Sequence, residues 1–133
     1  IIDIYKQLVK MNIPVKVETI FLDFEKAYKK IFEDKEKDEG ARVLRIVLEK
    51  TLQKIAQKNG ISILDDKGKE QKIALVNDQL KDAKIISKVL WEENKVYLAI
   101  GNHASHGDYE EYDLKKVENF YKHVQELHNN FGI

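Results

Sequence analysis

Apolar side chains recur at intervals of three and four residues in six stretches of this chain, the spacing of helices that bury one face. Ile1, Ile2, Tyr5, Leu8 and Val9 make the first, which halts near Asn12-Ile13-Pro14 because proline disfavours helix for the residue before it. From Val15 to Phe32, the set Val17, Ile20, Phe21, Phe24, Ala27, Tyr28 and Ile31 predicts a surface helix packed on one side. Glu33 to Glu39 mixes charges of both signs and ends at Gly40, which reads as a solvated helix end or connector. From Ala41 to Asn59, the residues Val43, Leu44, Ile46, Val47, Leu48, Leu52 and Ile55 cover most of the circumference. A helix this apolar is expected at the centre.

Asn59-Gly60 ends that helix, and Ile61 to Gln71, with Asp65-Asp-Lys-Gly68 inside it, reads as an extended connection and turn. Ile63-Leu64 has strand character but no convincing strand partner. Ile73, Val76, Leu80 and Ala83 define the next helix. Ser87 is placed to cap another, running through Val89, Leu90, Val96, Tyr97 and Ile100 to Ser105, with Trp91 at an edge. Asp113 is placed to cap the last, whose stripe is Leu114, Val117, Phe120, Tyr121, Val124, Leu127 and Phe131. The expectation is an all-α protein, an antiparallel bundle of five or six helices closed by the 114–131 helix. Residues 1–13 would form an N-terminal arm or the end of an upstream region, and 14–133 the bundle.

Composition narrows the function classes. The chain has 133 residues, the length of one domain, and is 43% apolar and 35% charged with six glycines and one proline, which disfavours an all-β architecture. Twenty-three basic and twenty-three acidic residues cancel, so no overall field gathers nucleic acid or an anionic membrane, and any polyanion must meet a local patch. The absence of cysteine excludes disulfide frameworks and thiolate zinc sites. No apolar run approaches the roughly eighteen residues of a membrane span, and no signal-peptide pattern is present. The chain is therefore expected to be cytoplasmic and off the membrane. Its first residue is Ile1, already in a helical pattern, which is read as the trimmed start of a longer polypeptide.

Chemistry concentrates at the end of the fifth apolar stretch. Val96 to Gly107 runs apolar and then presents Asn102, His103 and His106 before a glycine suited to ending a helix. Asn102 and His106 are four apart and share a helical face, and a histidine changes charge near neutral pH. The plainer reading is a set of polar residues capping a helix end. The only two arginines, Arg42 and Arg45, lie on the central helix with Glu49 four residues beyond Arg45. They read either as an ordinary within-helix ion pair or as forked donors that the many lysines could not replace. His123 and His128 are five apart, a poor spacing for a shared metal, and no metal or cofactor is expected. No Walker loop, dinucleotide fingerprint, HExxH or nucleophile elbow occurs. Ser105 adjoins His106, but helical neighbours point about a hundred degrees apart.

Gly101-Asn-His-Ala-Ser-His106, set in such a bundle, resembles the signature of the HEPN superfamily, helical domains of prokaryotic antiviral, toxin and RNA-processing systems. Asn102 and His106 match that motif, and Gly101 stands where active members carry arginine. The glycine form is similar to an uncharacterised branch attached to restriction and other defence proteins. Ala41-Arg-Val-Leu-Arg-Ile-Val-Leu-Glu49 is similar to that branch's arginine-and-glutamate helix, and Gly60-Ile61 to its end. The resemblance covers roughly residues 14 to 131.

It implies a homodimer through the motif helices, within a larger polypeptide. In active relatives paired motifs cut RNA without metal, histidine moving protons and arginine stabilising charge on phosphorus. Loss of one such donor typically costs about a hundredfold to a thousandfold in rate. The favoured expectation is therefore a catalytically degenerate, self-associating module acting in assembly or ligand sensing, with His103, Arg42, Arg45 and Glu49 as binding residues. The alternative is a metal-independent endoribonuclease, with His106 as acid and base, Asn102 orienting substrate, and Arg42 or Arg45 as substitute cation. The acidic run Asp108 to Asp113 opposes an approaching phosphodiester. A third reading makes Asn102, His106 and Glu49 a buried polar network that fixes helix register.

Overall fold

The computed structural model describes residues 15–133, and the first helical stretch, with its break at Pro14, lies outside them. Five α-helices form the described part: α1 Val17–Tyr28, α2 Lys37–Lys58, α3 Ile73–Asp82, α4 Lys88–His106 and α5 Leu114–Phe131. A π-helical turn, Lys29–Glu33, extends α1, and a short 3₁₀ turn, Tyr109–Glu111, precedes α5. The fold is an all-α bundle. No helix among the described residues is long and apolar enough to cross a membrane.

The apolar wealth of the 41–59 stretch has the expected outcome, since α2 packs against each of the other four helices. Its Ala41, Leu44, Val47, Leu48, Leu52 and Ala56 are fully buried. Contacts along it fix the direction of its neighbours. Val15 N–H donates to Gln57 near the end of α2, while Ile31 packs on Gly40 near its start, so α1 runs antiparallel to α2. Arg45 meets Leu98 and Gly101, and Lys37, a turn or two earlier on α2, meets Tyr109 just past the end of α4, so that pair is antiparallel too. Tyr112 reaches Asp38, and His128 reaches Thr51, so α5 runs back alongside α2 in its own direction.

Ser87 and Asp113 cap their helices as the sequence predicts. Ser87 accepts from Leu90 N–H at 3.1 Å and Asp113 from Lys116 N–H at 2.8 Å. Asn59-Gly60 ends α2, Gly60 with φ +75° and the Asn59 carboxamide donating to Ile55 carbonyl. The 61–72 connection contains a tight turn in which Asp65 accepts from the Lys67 and Lys69 N–H groups, and Leu64 pairs with Glu70 across it as a single bridge. That bridge supplies the partner the sequence did not reveal, and no strand grows from it.

Three expectations change. Gly40 does not mark a helix boundary: α2 begins at Lys37, with Asp38 and Glu39 in its first turn, where carboxylates suit the helix dipole. Gly40 is inside the helix because a β-carbon there would collide with Ile31, which the π turn carries against α2. Ile46, one of the apolar set expected to cover most of the circumference of α2, is 47% exposed and lies outside its buried surface. Phe21 and Tyr28 likewise stand nearly half exposed on α1 although they belong to its stripe, edging an aromatic cluster in which Phe24 stacks on Tyr121 at 4.3 Å.

Candidate functional site

Helix α4 places the motif through its inner face. Asn94, Leu98, Ile100, Gly101 and Ala104 are buried, which leaves Asn102 and His106 exposed on the outer side, four apart. Gly107 then adopts φ +80°, and Asp108 N–H donates to His103 carbonyl at 2.8 Å, closing the helix with a glycine-centred cap. Asn102 and His106 therefore project together from the tip of α4. His103 is half buried beside them, its Nδ1 3.6 Å from Asp108 Oδ2. It faces a separate groove with Val96, Glu111 and Lys116.

The glycine in the motif is explained by the helix that crosses it. A β-carbon on Gly101 would stand 2.5, 2.8 and 2.9 Å from Cβ, Cγ and Cδ of Arg45, so the stem of Arg45 occupies the space that any larger residue would claim. Beyond that stem the guanidinium is held twice. Nη1 donates to Leu98 carbonyl at 2.8 Å and Nη2 pairs with Glu49 Oε1 at 2.9 Å. The i,i+4 spacing read from the sequence thus does form an ion pair, but its arginine also clamps α2 to α4. Arg45, Glu49 and Asn102 line one cavity of about 460 Å3, together with Gln53, Lys72 and Leu98. The Gln53 carboxamide donates to Glu70 across it.

Arg42 belongs elsewhere. It pairs with Glu39 at 3.4 Å and donates from Nη2 to the Tyr109 hydroxyl at 3.1 Å. It is one part of a clamp that ties the acidic segment after α4 to the start of α2. Lys37 donates to Tyr109 carbonyl at 2.5 Å, and the buried Tyr112 hydroxyl donates to Asp38 Oδ1 at 2.6 Å. Burial and the Asp38 carboxylate push the Tyr112 hydroxyl up. Burial works against the Asp38 carboxylate, yet the hydrogen bonds from Tyr112 and Lys37, with Arg42 nearby, hold it below its ordinary value. Asp108, Glu110 and Glu111 stay exposed next to the motif, while Asp113 is consumed as a cap.

The structure therefore brings Arg45, Glu49 and Asn102 together, sets His106 on the same face as Asn102, and separates His103 and Arg42 from that cavity. It also overturns the buried-network reading, because Asn102 and His106 are exposed and Glu49 is tied to Arg45. The buried polar networks lie elsewhere. His123 Nε2 meets Asn94 Oδ1 at 2.6 Å, Asn94 donates to Asn77 Oδ1 at 2.9 Å, and Asn77 donates to Trp91 carbonyl at 3.1 Å. Separately, His128 Nε2 meets Thr51 Oγ1 at 2.9 Å. Burial lowers both imidazoles, His123 to about 4. Sequence reasoning missed Asn77 and Asn94, although each interrupts an apolar stripe, Asn94 between Leu90 and Leu98 and Asn77 between Ile73 and Leu80. A polar residue at a core position is the signal that would have found them. Among the described residues no cluster of three or more histidine or acidic side chains is arranged to hold a metal.

Comparison with family models, curated proteins and solved structures yields no match to this chain.

Proposed function

We propose that this chain is a HEPN-like, self-associating module of a larger prokaryotic defence or RNA-related protein, catalytically degenerate and acting in assembly or ligand sensing. The observation that carries this reading is Arg45 lying across Gly101. The cation nearest the motif is engaged by Glu49 and the Leu98 carbonyl, and a guanidinium so neutralised is poorly placed to meet charge growing on phosphorus. Asn102 and His106 remain outward, which suits recognition. Support for self-association comes from the same helix. Val89 and Val96 are 65% and 57% exposed, and Ala99 is exposed too. With His106 they fall at heptad-like spacings along the outer face of α4.

Sedimentation velocity on the 133-residue chain tests this directly. A concentration-dependent dimer is expected, lost in Val96→Glu, and a monomer at every concentration would overturn it.

One observation favours a second reading, a metal-independent endoribonuclease: Arg45 fills the room vacated at Gly101 and shares a cavity with Asn102. Release from Glu49 would then give His106 a cationic partner. RNA cleavage in the presence of a chelator, abolished by His106→Ala, would establish this reading and end the degenerate one. RNA binding that weakens steeply with salt would accompany it.

A further inference from the structure

The cavity beside Asn102 has a chemistry of its own. Its two cations, Arg45 and Lys72, balance two carboxylates, Glu49 and Glu70. A site so neutralised has no single-sign field to attract a bare anion or cation. Its volume of about 460 Å3 lies in the range of small-molecule sites. Arg45 and Glu49 form one wall, and their side chains are only 21% and 33% exposed. A guanidinium has five N–H donors. Contacts to Leu98 carbonyl and Glu49 Oε1 leave several of them unspent, and Glu49 Oε2 accepts from no protein group among the described residues. The Asn102 carboxamide, at the cavity's edge, makes no hydrogen bond there either.

A donor fork thus lies directly beside a carboxylate with free accepting capacity. The complementary ligand edge places a carbonyl acceptor next to two adjacent N–H donors. Among nucleobases that is guanine, whose O6 would accept from Arg45 while its N1–H and 2-amino group donate to Glu49. Adenine and cytosine offer the carboxylate one donor group, and uracil offers one donor flanked by acceptors, so each would leave part of the wall unmatched. We propose that this cavity binds the guanine base of a free nucleoside or nucleotide. This deepens the ligand-sensing part of the function proposed above and rests on it. It places the sensed molecule one side chain from the motif, in contact with Asn102.

Calorimetric titration of the 133-residue chain with guanosine, inosine and adenosine tests the assignment. Guanosine should bind saturably. Inosine, lacking the 2-amino donor, should bind about tenfold to a hundredfold more weakly, and adenosine more weakly still. Glu49→Gln, which turns an acceptor oxygen into a donor, should abolish guanosine binding while the helical circular dichroism spectrum is kept. If that variant does not fold, Asn102→Ala at an exposed position should still weaken binding without altering the melt. Absence of guanosine binding at millimolar concentration, equal binding of the three nucleosides, or unchanged binding in both variants would overturn the proposal. Sedimentation of the same preparations separates the two levels. A dimer that ignores guanosine sinks the guanine assignment alone, whereas a monomer that binds it sinks the assembly reading alone.

Discussion

The four histidines of the chain form two pairs that the fold treats in opposite ways. His123 and His128 lie on the inner face of α5, each 5% exposed and each hydrogen-bonded to a side chain on another helix. His103 and His106 sit in the last turn of α4, one half buried and the other exposed. The residue type is the same, and what differs is the stripe each one falls in. Phe120, Val124 and Leu127 flank the first pair at core spacing, whereas the second pair follows the exposed Val96 and Ala99 around the outside of α4. Position in the helical period decides whether an imidazole becomes a structural member or a free chemical group.

The sharpest way to break that contrast is to remove a buried member. His123→Ala leaves Asn94 Oδ1 without its donor, although the amide still donates to Asn77, and opens a cavity between α4 and α5. The expected loss is about 2–4 kcal/mol in urea unfolding, combining an unmet polar group with lost packing. Acid should act on the same residue. An imidazole held at about 4 in the folded protein, against an ordinary value near 6.5, stays neutral when folded while the unfolded chain takes up its proton first. The stabilising effect is thus complete above about pH 6.5 and is lost progressively as pH falls towards 4. The Glu93 carboxylate 3.7 Å from Nδ1 pulls the other way, but it is half exposed and screened by water, so burial prevails. Urea unfolding at pH 7 and pH 5 should show lower stability at pH 5, with a shallower pH slope in His123→Gln. An unchanged slope would mean that His123 is not the buried titrating group.

The inner face of α4 offers a second, smaller test. Gly101→Ala should cost about 1–3 kcal/mol, because its β-carbon meets the Arg45 stem at 2.5 Å and either the helices part or the arginine moves. In an Arg45→Gly background, which removes the β-carbon at 2.5 Å along with the rest of the stem, the same change should cost much less. A double-mutant cycle measures that coupling, and additivity within about 0.5 kcal/mol would show that Arg45 does not lie over the glycine. Tyr112→Phe comes next at about 1 kcal/mol, from one hydrogen bond to the partly exposed Asp38.

How much of this was legible in the sequence depends on the range of the interaction. Local signals were read well: Ser87, Asp113 and Asn59-Gly60 end their helices through contacts within a few residues, and the density of apolar residues in α2 put it at the centre. Gly40 misled because a glycine at a charged-to-apolar boundary looks like a stop signal. Its reason is Ile31, brought across by a π turn that no period predicts. The candidate site divides in the same way. The shared face of Asn102 and His106 follows from their spacing, but the clamp of Arg45 over Gly101 joins residues 56 positions apart and depends on how α2 crosses α4. Tyr109 and Tyr112 looked like parts of an acidic run, and only tertiary contact turns them towards Lys37, Asp38 and Arg42.

The smallest effect falls on the residue of greatest chemical interest. His106 is exposed at the end of α4, and neither a hydrogen bond nor an ion pair within the described residues holds its imidazole. His106→Ala should therefore leave unfolding free energy within about 0.5 kcal/mol of the parent, as exposed substitutions usually do. Set beside His123→Ala under the same conditions, this gives a difference of several-fold in cost for the same chemical deletion. A loss of 2 kcal/mol or more at His106 would show that it is structural after all and would remove the contrast between the two pairs. A stability unchanged by the substitution makes any loss of self-association in His106→Ala attributable to the missing imidazole rather than to a weakened fold.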